Sequence, residues 1–196
     1  LDGDYIHCRH PRSTQGYLAP ETGASTYAQY ILKPEFLLMP IPDGMDYDLA
    51  GLSLCALGPS FGALDKLAAS AFDTVLVSGL GPVGMGAIVN ARFRNLRVIA
   101  IDPLPYRRGA ALELEAGLAL SPDDPDLAAK VRAFAGADGV DCAIECSGAP
   151  AAHRLAIDLL RPLGGLAIVG ESNADTVIHA SDDMIRKGIS IVGNWH

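Results

Sequence analysis

Residues 74–102 read TVLVSGLGPVGMGAIVNARFRNLRVIAID, and this stretch limits what the chain can fold into more than any other. Val75, Leu76 and Val77 form a short apolar run that stops at a turn of small residues, the pattern of a strand buried on both faces. Gly79, Gly81 and Gly84 then give the G-x-G-x-x-G spacing. In such a corner the first glycine permits a tight turn, the second lets backbone approach a pyrophosphate, and the third lets helix and strand pack closely. The N–H groups that open the following helix face the phosphates, and the helix dipole adds favourable charge. Pro82 suits a first helical turn, although it brings no N–H of its own. A second apolar strand, residues 98–101, ends at Asp102, eighteen positions beyond Gly84. A carboxylate at that distance takes both ribose hydroxyls of an adenosine and opposes a 2′-phosphate, so the expected ligand is NAD rather than NADP. On the alternative reading the glycines make only a tight turn and Asp102 only ends a strand.

Length and composition allow one full domain and part of a second: 196 residues, 49% of them hydrophobic. No apolar run reaches membrane-spanning length and no signal-peptide pattern is present, so a cytoplasmic protein is expected, with no membrane partner. A formal net charge of −8 argues against nucleic acid, which wants a basic face. Cys8, Cys55, Cys142 and Cys146 are scattered and form no C-x-x-C pair, so no disulfide framework is expected. The chain starts at Leu1 and stops at His196 directly after a strand-like segment, which reads as a fragment.

Residues 1–34 are polar and turn-rich; His7, Cys8 and His10 lie close together but lack the partners of a metal site and read as an exposed loop. Residues 27–32 suggest a strand, and residues 36–42 an extended segment that prolines keep out of helix. Pro42, Asp43 and Gly44 make a turn, and Asp46 or Asp48 can cap a helix over residues 49–57. Gly58 and Pro59 interrupt that helix, so the chain either kinks there or starts a second helix at residues 61–71. From Asp73 onward strands and helices alternate. Helices are expected over residues 105–116, 126–135, 151–160 and 182–187. Strands are expected at 118–120, in DCAIECSG up to Gly148, at 166–169 and at 189–192. The fold class is α/β, a doubly wound parallel sheet of six strands. Arg107 and Arg108 in a first helical turn oppose the helix dipole, which calls for a local anion or hydroxyl partner.

Several short motifs in this order resemble the medium-chain dehydrogenase superfamily, most closely its zinc-dependent alcohol and polyol dehydrogenases. The matching stretches are GLGPVG, IAIDPLPYRRGAALELEAG, IECSG, LGGLAIVG and MIRKGISIVGNW. The resemblance implies a Rossmann domain over residues 58–196, preceded at 1–57 by the remnant of a β-rich, GroES-like catalytic domain. It implies a pyrophosphate turn at Gly79, Gly81, Pro82, Val83 and Gly84, a ribose acid at Asp102 and a basic neighbour at Arg107. Cys146 and Ser147 match positions lining the nucleotide, Gly170 and Glu171 the strand end beside the nicotinamide, and Ser190 and Val192 backbone positions that hold the carboxamide. Cys55 matches a ligand of the catalytic zinc; on its own, a cysteine among leucines in a helix reads as buried core. The family's other ligands have no counterpart here, only Cys8 survives of its structural zinc loop, and Pro59 stands where a hydroxyl residue usually does.

The function implied is NAD-dependent hydride transfer between an alcohol or polyol and nicotinamide, with zinc assistance in the full-length protein, the present stretch alone being inactive. A homodimer through the sixth strand is also implied. Two other readings stay open: a zinc-free quinone or enoyl reductase of the same superfamily, and a non-catalytic nucleotide-binding module.

Overall fold

The computed structural model describes residues 29–195. His7, Cys8 and His10 lie outside them, as do residues 1–28 of the stretch 1–57 expected to form the β-rich remnant. The chain divides into two compact units, residues 1–50 and 51–196.

Within the first unit, Gln29 to Leu32 form no strand; a short 3-10 turn, Glu35–Leu37, follows Pro34. A strand needs a partner for its N–H and C=O groups, and no ladder forms among the described residues of this unit. Gly44, with a φ of 83°, makes the expected turn, closed by Met45 N–H to the Pro42 carbonyl at 3.1 Å. Asp46 caps helix α1, Tyr47–Leu52, by accepting the N–H of Asp48 at 2.8 Å.

The second unit holds a parallel sheet. Its strands are β1 (Thr74–Ser78), β2 (Arg97–Ile101), β3 (Leu118–Leu120), β4 (Val140–Glu145), β5 (Leu160–Ile168) and β6 (Ser190–Gly193). They run in the order β3-β2-β1-β4-β5-β6, so the winding reverses between β1 and β4. A crevice at the carboxyl ends of those two strands is where ligands bind in such sheets. The helices are α2 (Gly58–Lys66), α3 (Pro82–Phe93), α4 (Pro105–Glu113), α5 (Leu127–Ala135) and α6 (Pro150–Leu159).

Strand alternation sorts the apolar side chains onto two faces. Val75, Val77, Val98, Ala100, Cys142, Ile144 and Ala167 pack with Leu64 of α2 and Ala87, Ile88 and Ala91 of α3. Leu76, Ile99, Ile101, Ala143 and Leu166 pack on the other side with Val131 of α5 and Ala156 and Ile157 of α6. All five residues of β1 are buried, as a strand covered on both faces requires.

Three departures from the sequence reading have physical causes. Pro59 does not break the helix: residues 53–57 widen into a π-turn, which relieves the clash a proline ring makes with the carbonyl four residues back. The Leu57 carbonyl there accepts from Ser60 Oγ at 3.1 Å and from Asn90 Nδ2 at 2.8 Å. Next, β4 stops at Glu145 rather than Gly148, because the Glu145 side chain folds over and takes the N–H groups of Ser147 and Gly148. Finally, β5 begins at Leu160, directly after α6, rather than at 166, and its pairing with β4 jumps from Val140–Leu160 to Cys142–Gly165, so the residues between leave the ladder. The helix expected at residues 182–187 is a π-turn, Ala180–Arg186.

Candidate nucleotide site

The three glycines of the corner are required for three different reasons. Gly79 has a φ of 84°, and a Cβ there would lie 2.7 Å from the Ser147 backbone nitrogen. A Cβ on Gly84 would collide with the Gly79 carbonyl, so the corner closes on itself. Gly81 differs: its φ is −74° and a Cβ would meet nothing within 4 Å. The space in front of Gly81 is open, which is the room a pyrophosphate needs to reach backbone. Gly81 is also the N-cap of α3, no side chain caps that terminus, and Pro82 occupies its first turn. The N–H groups of Val83 and Gly84 stand in that turn, where an anion is the natural partner.

Asp102 is 2% exposed and sits at the end of β2. Its Oδ2 accepts the N–H of Leu80 inside the glycine corner at 2.8 Å, and its Oδ1 accepts the N–H of Leu104 at 2.8 Å. Arg107 Nη1 reaches Oδ2 at 3.4 Å, while Arg108 donates to the carbonyls of Asp102 and Pro103 at 2.7 and 2.8 Å. Arg107 thus has both a hydroxyl partner, Tyr106 Oη at 3.1 Å from its Nε, and an anion, Asp102, whereas Arg108 is met by backbone carbonyls. The carboxylate acts as a clamp on the corner, a role the sequence did not suggest, and Oδ1 keeps a lone pair for a further donor.

Opposite Asp102 stands the turn after β4. Glu145 is fully buried; its Oε1 accepts from the Ser147 N–H at 2.7 Å and from the Ser147 hydroxyl, and its Oε2 accepts from the Gly148 N–H at 3.0 Å. Nε2 of His153, on α6, lies 3.0 Å from Oε2, and Nδ1 is 2.6 Å from Thr176 Oγ1. Neither Glu145 nor His153 was singled out from sequence, although a carboxylate inside the apolar run DCAIE is the signal that marks Glu145. Burial, followed by the Glu145 charge, pushes the Cys146 thiol up, and burial pushes Cys142 up to about 12. Neither is a nucleophile at neutral pH.

These elements enclose a cleft of about 630 Å³, lined among others by Gly79, Gly81, Asp102, Arg107, Cys146 and Ser147. Its volume and its mixture of apolar wall and a few polar groups suit a nucleotide. Pro103, Pro122, Asp123, Ala149 and Leu155 also line the wall and were not foreseen. Pro82, Val83 and Gly84 continue from the corner into α3. Gly170 and Glu171 sit against the same turn from the β5 side: a Cβ on Gly170 would lie 2.8 Å from Ser147 N, and one on Gly148 would strike the Glu171 carbonyl. Ser190 and Val192 instead line a separate depression of about 250 Å³ with Asp141 and Arg161. Cys55 is exposed on the π-turn, not buried in the core. Among the described residues no group of three or more His, Cys, Asp or Glu could hold a metal ion, so they do not make a zinc site by themselves. No helix among them is long and apolar enough to cross a membrane.

Residues 82–196 match the protein family described as zinc-binding dehydrogenase. The chain belongs to that family. Among its relatives, an uncharacterized zinc-type alcohol dehydrogenase-like protein of Escherichia coli K12 is 31% identical over 86% of this chain and 48% of its own length. An L-threonine 3-dehydrogenase of Rhizobium etli is 32% identical over 83% of this chain and 49% of its own length. The solved structure of an NAD-dependent alcohol dehydrogenase superposes with a TM-score of 0.79 at 26% identity, covering 87% of this chain and 50% of that one. The chain thus spans about half the length of the curated relatives it matches. Strands β2 to β6 and Gly84 of the corner lie within the matched residues 82–196, and β1, Gly79 and Gly81 directly precede them.

Proposed function

We propose that this chain is the NAD-binding part of a dehydrogenase that moves hydride between an alcohol or polyol and nicotinamide. One observation carries the reading: the uncapped, unobstructed start of α3 at Gly81 and the Asp102 carboxylate open onto the same cleft. The backbone N–H groups of Val83 and Gly84 would hold the pyrophosphate, and Oδ1 of Asp102 would take a ribose hydroxyl. A 2′-phosphate would bring its charge against Asp102, so NAD is favoured over NADP. The turn at residues 146–148 and the strand end at Gly170 and Glu171 would form the wall on the nicotinamide side. NAD, when bound, supplies the hydride acceptor.

In this reading zinc assists in the whole protein and Cys55 is one of its ligands; its exposure on the π-turn leaves the thiol accessible. No step is assigned to the metal, since the described residues do not assemble its ligand set. Ser190 and Val192 lie in β6 at the sheet edge, which supports pairing of two copies through that strand. Free, unpaired Cys55, Cys142 and Cys146 support a reducing compartment such as the cytoplasm. The domain boundary near residue 57 is likewise a proposal.

Incubating the whole protein with NAD and secondary alcohols or polyols deuterated at the carbinol carbon tests the function. Deuterium recovered on the nicotinamide ring is the expected result. NAD reduction by none of them would contradict the dehydrogenase reading.

A further inference from the structure

We infer that His153 is a positioning residue for the nucleotide cleft. Through Glu145 it fixes the turn at residues 146–148, and through Thr176 it fastens the segment after β5 to that turn. The inference rests on the reading of the cleft as the NAD site.

Glu145 is a junction of four chain segments. Its side chain holds the N–H groups of Ser147 and Gly148, and its carbonyl accepts from Val169 and Gly170, each at 2.9 Å. The next residue ties the junction to β1, since the Cys146 N–H donates to the Ser78 carbonyl at 2.8 Å. A carboxylate with no solvent exposure is costly unless its lone pairs are filled. Ser147 and Gly148 supply three donors, and the remaining near neighbour is His153 Nε2 at 3.0 Å. On the other side of the ring, Nδ1 is 2.6 Å from the Thr176 hydroxyl, within hydrogen-bond reach. The imidazole is 3% exposed and spans the gap between α6 and the segment carrying Thr176.

The turn that this pair braces is a wall of the cleft. Ser147 and Cys146 line it, and Ser147 abuts Gly79 closely enough that no side chain fits between them. A displacement of the turn by a few tenths of an ångström therefore reaches the glycine corner directly. Nε2 of His153 meets Oε2 at ion-pair distance and has no aligned hydrogen bond of its own, so the brace on the turn is electrostatic contact and packing on the Glu145 side and a hydrogen bond on the Thr176 side.

Amide hydrogen exchange at Ser147 and Gly148 in the ligand-free protein, together with calorimetric NAD affinity, tests the inference in the variants His153→Leu, His153→Gln and Thr176→Val. His153→Leu is expected to speed exchange at those two amides about tenfold and to weaken NAD binding about tenfold, with exchange in β2 unchanged. His153→Gln, which can donate to Glu145, restores both. A folded His153→Leu whose exchange at Ser147 and Gly148 matches the wild type overturns the inference, as does acceleration spread over the whole sheet. Should His153→Leu not fold, Thr176→Val decides: faster exchange at the two amides supports the link and unchanged exchange overturns it. If the wild type binds no NAD, the nucleotide reading falls, while the exchange result still settles whether His153 holds the turn.

Discussion

Oδ2 of Asp102 accepts the N–H of Leu80 at 2.8 Å, so the carboxylate facing the cleft also ties the end of β2 to the glycine corner. The other oxygen takes the N–H of Leu104 at the same distance. With both oxygens accepting from backbone, an asparagine at this position loses one bond whichever way its amide is turned. Asp102→Asn is therefore expected to destabilise the fold by about 1–3 kcal/mol, read as a lower urea midpoint with unchanged slope. A midpoint equal to wild type would show that the clamp contributes nothing.

The glycine corner separates folding from binding. Gly84→Ala forces a Cβ into the Gly79 carbonyl, and Gly79→Ala adds a strained φ to a contact with Ser147. Both should lower stability, by about 1–3 kcal/mol or more. Gly81→Ala meets open space at a φ that any residue adopts, so it should fold within about 0.5 kcal/mol of wild type while binding NAD more weakly. Thermal unfolding and calorimetry on the three variants check this. Equal losses of stability in all three would remove the special place of Gly81.

The three described cysteines should differ in reactivity. Cys55 is exposed, whereas burial holds the Cys142 thiol at about 12, leaving a thiolate fraction on the order of 10⁻⁵ at neutral pH. Brief alkylation of the native protein, read by peptide mass spectrometry, should label Cys55 and spare Cys142. Comparable labelling of both would mean that the sheet face around Cys142 opens readily.

Acid should loosen the π-turn Ala180–Arg186 before the sheet. Hydrogen bonds from Arg154, at 2.7 and 3.0 Å, outweigh burial and hold Asp183 at about 2 against an ordinary 3.8. A carboxyl depressed on folding stabilises the native state above its unfolded value and loses that contribution as pH falls through the folded one. Asp183→Asn should thus cost about 1–2 kcal/mol at neutral pH, and the gap from wild type should close between about pH 4 and pH 2. A gap independent of pH across that window would contradict the ion pair as its source.

The sheet was legible because its signals are local. Apolar runs such as 75–77 and 98–101, bounded by glycine or aspartate, need no long-range knowledge to be read as buried strands, and the corner at Gly79 announces what joins them. Pro59 misled because the π-turn that accommodates it depends on Asn90, thirty-three residues from Leu57, supplying a donor from another helix. A carboxylate within DCAIE marks Glu145, but its role and that of His153 were not legible for the same reason: their partners come from β4, α6 and the segment after β5, which only the tertiary fold brings together. Cys55 shows the limit from the other side. Its helical, leucine-rich surroundings suggest core, yet it lies on the exposed side of a turn whose buried residue is Ala56.

Calorimetric titration of this chain with NAD and then with NADP tests the central claim most directly. The account predicts that NAD binds at least about tenfold more tightly, because Asp102 lies where a 2′-phosphate would bring like charge. NADP binding as tightly as NAD, or no binding of either, would contradict it.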